Sequence, residues 1–125
     1  MYKGIDPAAK NNYAIRHAAF NNRYRIMARL LIEGNRVDPT VQTNLPIRQA
    51  SYKGYYKVVE ELLKDGRTDP DAMNNAAICQ ASQNGHDEVV RLLLTDVRVD
   101  PTAQDDFAIC AAAENEHFEV VKLLY

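Results

Sequence analysis

The sequence has no tryptophan, only two cysteines and only five glycines among its 125 residues. Two cysteines cannot build a disulfide-dense scaffold, and they fit a cytoplasmic protein better than a secreted one. No apolar run approaches the roughly 18 residues that a membrane helix requires. The first ten residues, MYKGIDPAAK, lack the apolar core of a signal peptide. These absences argue against a membrane protein and a secreted mini-protein, and predict a cytoplasmic location.

Charge is nearly balanced overall but is divided unevenly along the chain. The formal net charge is −2, which argues against a general nucleic-acid binder. Residues 1–62 carry ten basic and five acidic side chains, whereas residues 63–125 carry five basic and twelve acidic ones. The molecule therefore has a basic pole and an acidic pole, which can steer its encounters. Drift of surface charge between repeated units, without functional consequence, explains the same division.

The chain repeats itself. The dipeptide Asp-Pro begins at positions 6, 38, 69 and 100, so the period is 31 residues apart from one longer first interval. This periodicity is typical of a solenoid built from stacked copies of one unit. We therefore divide the chain into four repeats, at about 5–36, 37–67, 68–98 and 99–125, the fourth lacking its end. Three further columns recur in every repeat: Ile15, Ile47, Ile78 and Ile109; Ala18, Ala50, Ala81 and Ala112; and Leu30, Leu62, Leu93 and Leu124.

Each repeat predicts a pair of helices. The first helix follows a residue whose side chain can accept a hydrogen bond from the free N–H groups of the first turn, and so act as an N-cap. The second helix is amphipathic, and one pair cannot cover its own apolar face, which predicts stacking. The expected caps are Asn12, Asn44, Asn75 and Asp106. The expected core residues of the second helices are Ile26, Met27, Leu30, Leu31, Val58, Val59, Leu62, Leu63, Val89, Val90, Leu93 and Leu94.

The segments between helices also carry a pattern. Gly54 and Gly85 fit a left-handed position at the end of the first helix, and Asn22 in the same column tolerates it. Glu116 also stands in this column, where it is a poor choice and predicts a strained backbone. An arginine stands two residues before each of the last three Asp-Pro dipeptides. We expect these arginines to tie the connectors together through carbonyl or aspartate oxygens, with a shared anion-binding ladder as the alternative. They are Arg36, Arg67 and Arg98.

The segments QNGHDEVVRLLL at 83–94 and ENEHFEVVKLL at 114–124 resemble the ankyrin repeat, whose usual form contains GHxEVVKLLL. The resemblance spans the chain from about residue 5 to residue 125. The family's TPLHxAA motif corresponds more loosely to residues 13–19, 45–51, 76–82 and 107–113. The resemblance implies an all-α, ankyrin-type helical solenoid of four helix-turn-helix repeats. Since the period is 31 rather than the usual 33, we expect shortened fingers with little or no strand.

Four residues depart from the family's usual histidine in that motif, namely Arg16, Arg48, Cys79 and Cys110. In the family this histidine ties neighbouring repeats together, and arginine could replace its bonds whereas cysteine largely could not. Short repeats of this form are also similar to arrays in large DNA viruses of protists, and a viral protein would lie in the host cytoplasm.

The resemblance implies a non-enzymatic module that binds a partner protein on its concave side, formed by the first helices and the connector tips. A stiff array loses little conformational entropy on binding. Aromatic and basic side chains of the first two repeats predict an acidic partner, although these aromatics could instead only pack the exposed end of the stack. Connector residues Lys10, Gln42 and Met73 are expected nearby. The predicted binding residues are His17, Phe20, Asn21, Gln49, Tyr52, Lys53, Tyr55, Gln80, Gln83 and Asn84.

We predict no cofactor, metal or catalytic group. Cys79 and Cys110 lie one repeat apart, on helices expected about 8–10 Å apart, which is beyond the roughly 7 Å that a disulfide bridges. Both are expected to be small buried residues. His86 and His117 are expected to bond the backbone near the turn, as in the family. The four side chains lack the paired spacing of a zinc site, and a Cys79–His86 dyad lacks a third, orienting group.

Two other functions stay open. The basic first half could bind nucleic acid or an anionic membrane surface, although no helix face carries the arginine cluster that would favour this, and nucleic acid is the less expected partner. The sequence also stops at Tyr125, in mid-helix by alignment with the other repeats, without a polar capping unit. Val121 and Leu124 are therefore expected to be partly exposed. This predicts either a fragment of a longer array or a homodimer formed through the C-terminal repeat.

Overall fold

A computed structural model describes residues 9–33 and 37–125. Within these ranges the chain forms helices without β-strands, which confirms the prediction of an all-α solenoid with strandless fingers. The first helices of the repeats pack side by side in one layer, and the second helices do so in another. In chain order the helices are α1 (Ala9–Phe20), α2 (Tyr24–Glu33), α3 (Val41–Lys53), α4 (Tyr56–Asp65), α5 (Ala72–Gln83), α6 (Asp87–Leu93), α7 (Ala103–Glu114) and α8 (Phe118–Leu124).

The core lies between the two layers and follows the sequence columns. The column alanines are fully or almost fully buried in every repeat, and their small size lets neighbouring first helices approach closely. Most second-helix positions are buried as expected. Ile26 is the exception, because it is 53% exposed. Its counterparts Val58, Val89 and Val120 are buried, since each faces a preceding repeat.

A left-handed turn precedes the straight part of each first helix in repeats 2 to 4. Residues 42–44 have φ between 53° and 59°, residues 73–75 between 55° and 63°, and residues 104–106 between 56° and 61°. Left-handed geometry costs an L-residue about 1–2 kcal/mol, and asparagine and aspartate adopt it more readily than most residues. The residues at the last position of each turn, Asn44, Asn75 and Asp106, are of the types that suit this geometry.

The expectation that these asparagines cap their own helices is wrong. The amide oxygen of Asn44 instead accepts a hydrogen bond from the backbone N–H of Asp69 at 2.9 Å, in the connector of the next repeat. Asn12 accepts in the same way from Asp38 at 2.8 Å, and Asn75 accepts from Asp100 at 2.8 Å. Asp106 continues the column and is exposed. The column therefore joins repeats rather than starting helices.

Carbonyl groups of the left-handed turns are bonded by different side chains in different repeats. The guanidinium of Arg48 donates to the carbonyls of Thr43 and Gln42, each at 2.8 Å. These bonds lie within one repeat, whereas the family's histidine joins two. Repeat 3 has Cys79 at this position. There Gln104 of the next repeat donates to the Asn74 carbonyl at 2.9 Å.

The turn between paired helices matches its predicted geometry. Asn22 (φ 58°), Gly54 (φ 79°), Gly85 (φ 76°) and Glu116 (φ 62°) are all left-handed, so Glu116 holds a conformation that costs a glutamate energy. The His86 ring lies against Gly54, and its Nε2 is 2.9 Å from the carbonyl oxygen of Tyr52. The expected backbone bond of His86 is thus confirmed, and it links two repeats.

Two arginines bridge successive connectors, as expected. Arg67 donates to the Val37 carbonyl at 2.9 Å, and Arg98 donates to the Thr68 carbonyl at 3.2 Å. Each guanidinium also pairs with the aspartate two residues before it. Arg36 lies outside the described residues. The connectors are therefore held to one another by a row of arginine bonds.

Acidification is expected to weaken the pair between Arg98 and Asp96. Hydrogen bonds from Arg98 hold the pKa of Asp96 below its ordinary value of 3.8. The stabilisation is therefore complete above that pH and is lost as the pH falls through the lowered pKa. Both side chains are partly exposed, so the effect should not exceed about 1 kcal/mol. Urea unfolding at decreasing pH measures it: the difference in stability between the parent and Asp96→Asn should shrink, and a constant difference would contradict this account.

Candidate protein-binding surface

A hollow of about 340 Å³ opens on the first-helix layer between α1 and α3. Side chains from one stripe of α1 form one wall, and the start of α3 forms the other. The larger side chains at the surface of this layer stand around the gap. The residues that line it are Tyr13, Arg16, His17, Phe20, Asn21, Leu45, Pro46 and Gln49.

A second hollow, of about 240 Å³, lies between α3 and α5. It shares Leu45 and Gln49 with the first, so the two form one continuous surface across repeats 1 to 3. Its lining residues are Leu45, Arg48, Gln49, Tyr52 and Gln80. We refer to the two hollows together as the first-helix face.

The first-helix face combines exposed aromatic rings with positive charge. Phe20 is 48% exposed and Tyr52 is 51% exposed. The ammonium group of Lys53 stands 4.2 Å from the centre of the Phe20 ring and 5.9 Å from that of Tyr55, within the range of a cation–π contact. Arginines line both hollows, and no acidic residue lines either one. The chemistry of this face therefore suits a negatively charged, partly apolar ligand.

The structure brings most of the predicted binding residues onto this face. Lys53 adjoins the face through its cation–π contact with Phe20, and Tyr55 adjoins it through its own contact with Lys53. Gln83 is exposed but lines neither hollow. Asn84 donates a hydrogen bond to the Tyr52 carbonyl at 3.1 Å and so joins two repeats. The predicted residues that line the hollows are His17, Phe20, Asn21, Gln49, Tyr52 and Gln80.

The connector residues contribute little to this face. Gln42 and Met73 are exposed in the left-handed turns but line neither hollow. The side chain of Lys10 lies outside the described part of the structure.

Five residues of the face were not predicted from the sequence, although helical spacing could have identified two of them. Tyr13 and Arg16 stand on the stripe that also holds His17 and Phe20, at the helical spacing that places residues on one side of a helix. The remaining three belong to the start and middle of α3. They are Leu45, Pro46 and Arg48.

The two cysteines differ in their surroundings. Cys79 is buried, and burial raises the pKa of its thiol. Cys110 is exposed, so the expectation that both are buried is wrong for this residue. The reason is position in the array: α7 packs on α5, whereas the described chain has no helix beyond α7 in the first-helix layer. Both thiols are free.

The described residues contain no group of three or more histidine, cysteine, aspartate or glutamate side chains placed to hold a metal ion. No helix in the described ranges is both long and apolar enough to cross a bilayer.

Two layers of stacked helix pairs, joined by bonds from one repeat to the next, define a helical-repeat protein. Residues 66–125 match the family model described as ankyrin repeats (3 copies). Repeats 1 and 2 have the same helix pair, left-handed turn residue and asparagine bond as the matched part. Residues 66–125 are therefore ankyrin repeats, and repeats 1 and 2 share their helical architecture. No curated protein matches it significantly. Ankyrin repeats generally act as protein–protein interaction modules and are typically non-enzymatic.

Proposed function

We propose that this protein binds a partner protein on the first-helix face, with Phe20, Tyr52 and Lys53 at the centre of the contact. The partner presents an acidic segment that carries an aromatic or aliphatic side chain. The observation that supports this most directly is that the rings of Phe20 and Tyr52 are half exposed beside two connected hollows. Both hollows are lined by arginine and by no carboxylate.

Energetics favour the same centre. Aromatic residues and arginine are enriched among the few interface residues that carry most of the binding free energy. The first hollow offers Phe20, Leu45 and Pro46 as an apolar lining, so an inserted side chain would leave water. Arg16 and Arg48 bring positive charge to the two hollows, and this charge favours pairing with carboxylates of the partner. Such pairing adds specificity and speeds association more than it adds affinity.

Rigidity of the scaffold is the second requirement for tight binding, because a surface that is already ordered loses less entropy on association. Three bonds fix α3 relative to its neighbours: the asparagine bond of Asn44 to Asp69, and the bonds of Asn84 and His86 to the Tyr52 carbonyl. The last two end on the residue proposed to touch the partner. Tyr52 is therefore held at its backbone while its ring stays exposed.

The test is selection of a displayed library of random peptides on the immobilised protein. We expect the selected peptides to combine aspartate or glutamate with an aromatic or aliphatic residue. The triple variant F20A/Y52A/K53A should bind them at least about 100-fold more weakly, since two hot-spot residues each contribute about 1–2 kcal/mol or more. Its thermal transition should stay close to that of the parent, because these side chains are at the surface.

A matched control lies on the other layer. Tyr56 is exposed on α4, and Lys57 places its ammonium group 5.5 Å from the Tyr56 ring. The variant Y56A/K57A therefore removes a similar aromatic–lysine pair from outside the first-helix face, and it should bind the selected peptides as the parent does. Equal affinity of F20A/Y52A/K53A and the parent for those peptides would refute the proposal.

Binding to nucleic acid or an anionic membrane through the basic first half is the competing outcome. Phosphate contacts make the logarithm of the affinity fall steeply with the logarithm of the salt concentration. Titration of single-stranded and duplex DNA and of anionic vesicles, at two salt concentrations, would reveal it. Tight, steeply salt-dependent binding to these probes together with no selected peptide would replace the present proposal.

A further inference from the structure

The two hollows of the first-helix face differ in the side chains that line them. The first, between α1 and α3, has an apolar wall that includes Phe20 and the buried Pro46. The second, between α3 and α5, is smaller, at about 240 Å³ against about 340 Å³. Three of its five lining residues are polar, namely Arg48, Gln49 and Gln80. The first hollow therefore suits an apolar side chain, and the second suits a polar or acidic one.

Arg48 gives the second hollow positive charge that is held in place. Its Nε donates to the Thr43 carbonyl and its Nη2 donates to the Gln42 carbonyl, each at 2.8 Å. These bonds use two of the five N–H groups of the guanidinium, so the group can also donate to a ligand. A side chain that is already held loses less conformational entropy on binding. Arg48 therefore favours a carboxylate of the partner in the second hollow.

The distance between the hollows limits the conformation of a segment that fills both. The helices α1, α3 and α5 pack side by side, and the axes of packed helices lie about 8–10 Å apart, so the gaps between them have a similar spacing. In a polyproline II segment, side chains three residues apart point the same way and lie about 9 Å apart. Same-side residues of a β-strand lie about 7 or 13 Å apart, which fits poorly. An α-helix fits only at seven residues, about 10.5 Å.

Gln49 favours the polyproline II segment over the helix. It lines both hollows, so it lies between the positions that the two side chains of the partner would occupy. Its side-chain amide carries donors and an acceptor, and the backbone N–H and C=O groups of a polyproline II segment have no internal partners. An α-helix bonds these groups within itself. The amide of Gln49 can therefore bond the backbone of an extended segment but not that of a helix.

We propose that the partner segment binds in the polyproline II conformation, with an aromatic or aliphatic side chain in the first hollow and a carboxylate three residues away in the second. This inference rests on the proposed function, because it concerns the same face and the same kind of partner. It adds a fixed spacing between the two side chains and different roles for the two arginines. Arg48 lines only the second hollow and selects the carboxylate, whereas Arg16 lines only the first and does not.

A series of fluorescent peptides tests the spacing. Each peptide has a host sequence of proline and alanine, which favours polyproline II, and carries one phenylalanine and one glutamate placed two, three, four or seven positions apart, in both orders. Fluorescence anisotropy should show the tightest binding at three positions, at least about tenfold tighter than at two or four, because a shifted side chain misses its hollow. Equal affinity at every spacing, tightest binding at two, four or seven positions, or no binding by any peptide would overturn the proposal.

Replacement of the glutamate by glutamine in the best peptide tests the roles of the arginines. At physiological ionic strength the parent should prefer the glutamate peptide by about tenfold, since hydrogen bonds to charged groups are the stronger ones. Arg48→Gln should abolish this preference, and the matched control Arg16→Gln should keep it, because a more distant charge is largely screened. A preference that Arg48→Gln keeps, or that Arg16→Gln loses, would overturn the proposal.

The two proposals can fail independently. The spacing series uses the parent protein, so it stays decisive even if Arg48→Gln does not fold. If F20A/Y52A/K53A loses binding while the spacing has no effect, only the present inference fails. If F20A/Y52A/K53A binds the peptides as the parent does, the proposed function fails.

Discussion

Replacement of Gly54 by alanine is expected to destabilise the protein by roughly 2–5 kcal/mol, the sum of left-handed strain and overpacking. Gly54 has φ of 79°, and a Cβ atom there would lie 2.6 Å from Nδ1 of His86. The ring cannot simply move away, because its Nε2 is bonded to the Tyr52 carbonyl. Urea unfolding followed by circular dichroism would measure the loss. An effect below about 1 kcal/mol would contradict the close packing described here.

Gly66→Ala is the matched control for this prediction. Gly66 is also left-handed, with φ of 88°, but nothing lies within 4 Å of a Cβ atom built on it. Its replacement should therefore cost only the left-handed strain, about 1–2 kcal/mol. The double variant G54A/H86A separates the two contributions: in the His86→Ala background, the additional cost of Gly54→Ala should fall to that of Gly66→Ala. An unchanged cost would show that the histidine ring does not cause the loss.

Asn44→Ala is expected to destabilise the protein by roughly 2–4 kcal/mol. The substitution removes the acceptor for the part-buried N–H of Asp69, and it leaves alanine in a left-handed conformation that asparagine tolerates better. Because the bond joins repeats 2 and 3, its loss should also broaden the unfolding transition, since cooperativity in a repeat array depends on the contacts between neighbours. Chemical denaturation gives both the free energy and the breadth.

Two further variants identify which part of the Asn44 effect comes from the bond. Asn44→Asp keeps an oxygen acceptor and a residue type that adopts left-handed geometry, so it should retain most of the stability. Thr43→Ala alters an exposed residue of the same left-handed turn, with φ of 56°, and should have a smaller effect than Asn44→Ala. Equal destabilisation by Thr43→Ala and Asn44→Ala would show that the inter-repeat bond contributes nothing measurable.

The asparagine column shows where reasoning from one repeat at a time falls short. Asparagine before a helix is typical of an N-cap, and the sequence offered no reason to prefer another role for Asn12, Asn44 and Asn75. Their partner is a backbone N–H about 25 residues ahead. A backbone group carries no side-chain signature, so its position becomes known only once the repeats are stacked. The spacing of Asp-Pro dipeptides gave the register of the repeats but not this contact.

Cys110 and Ile26 show the same limit for burial. We expected Ile26 to be buried like Val58 and Val89, and Cys110 to be buried like Cys79. Within the described residues, however, the first and last helix pairs each have a neighbouring pair on one side only, and a side chain is buried or exposed according to whether such a pair covers it. The first-helix face followed the sequence more closely, because helical spacing alone placed His17 and Phe20 on one side of α1.

The sequence by itself determined the period, the helix pairs, the alanine and leucine columns and the left-handed turn at Gly54 and Gly85, because these follow from local backbone preferences and the spacing of apolar residues. It also carried the resemblance to ankyrin repeats. Only the tertiary structure decided that Asn44 bonds the next connector, that His86 covers Gly54, and that Leu45 and Pro46 meet the α1 stripe across a hollow. Those contacts join residues of different repeats, and their geometry depends on how closely the repeats pack.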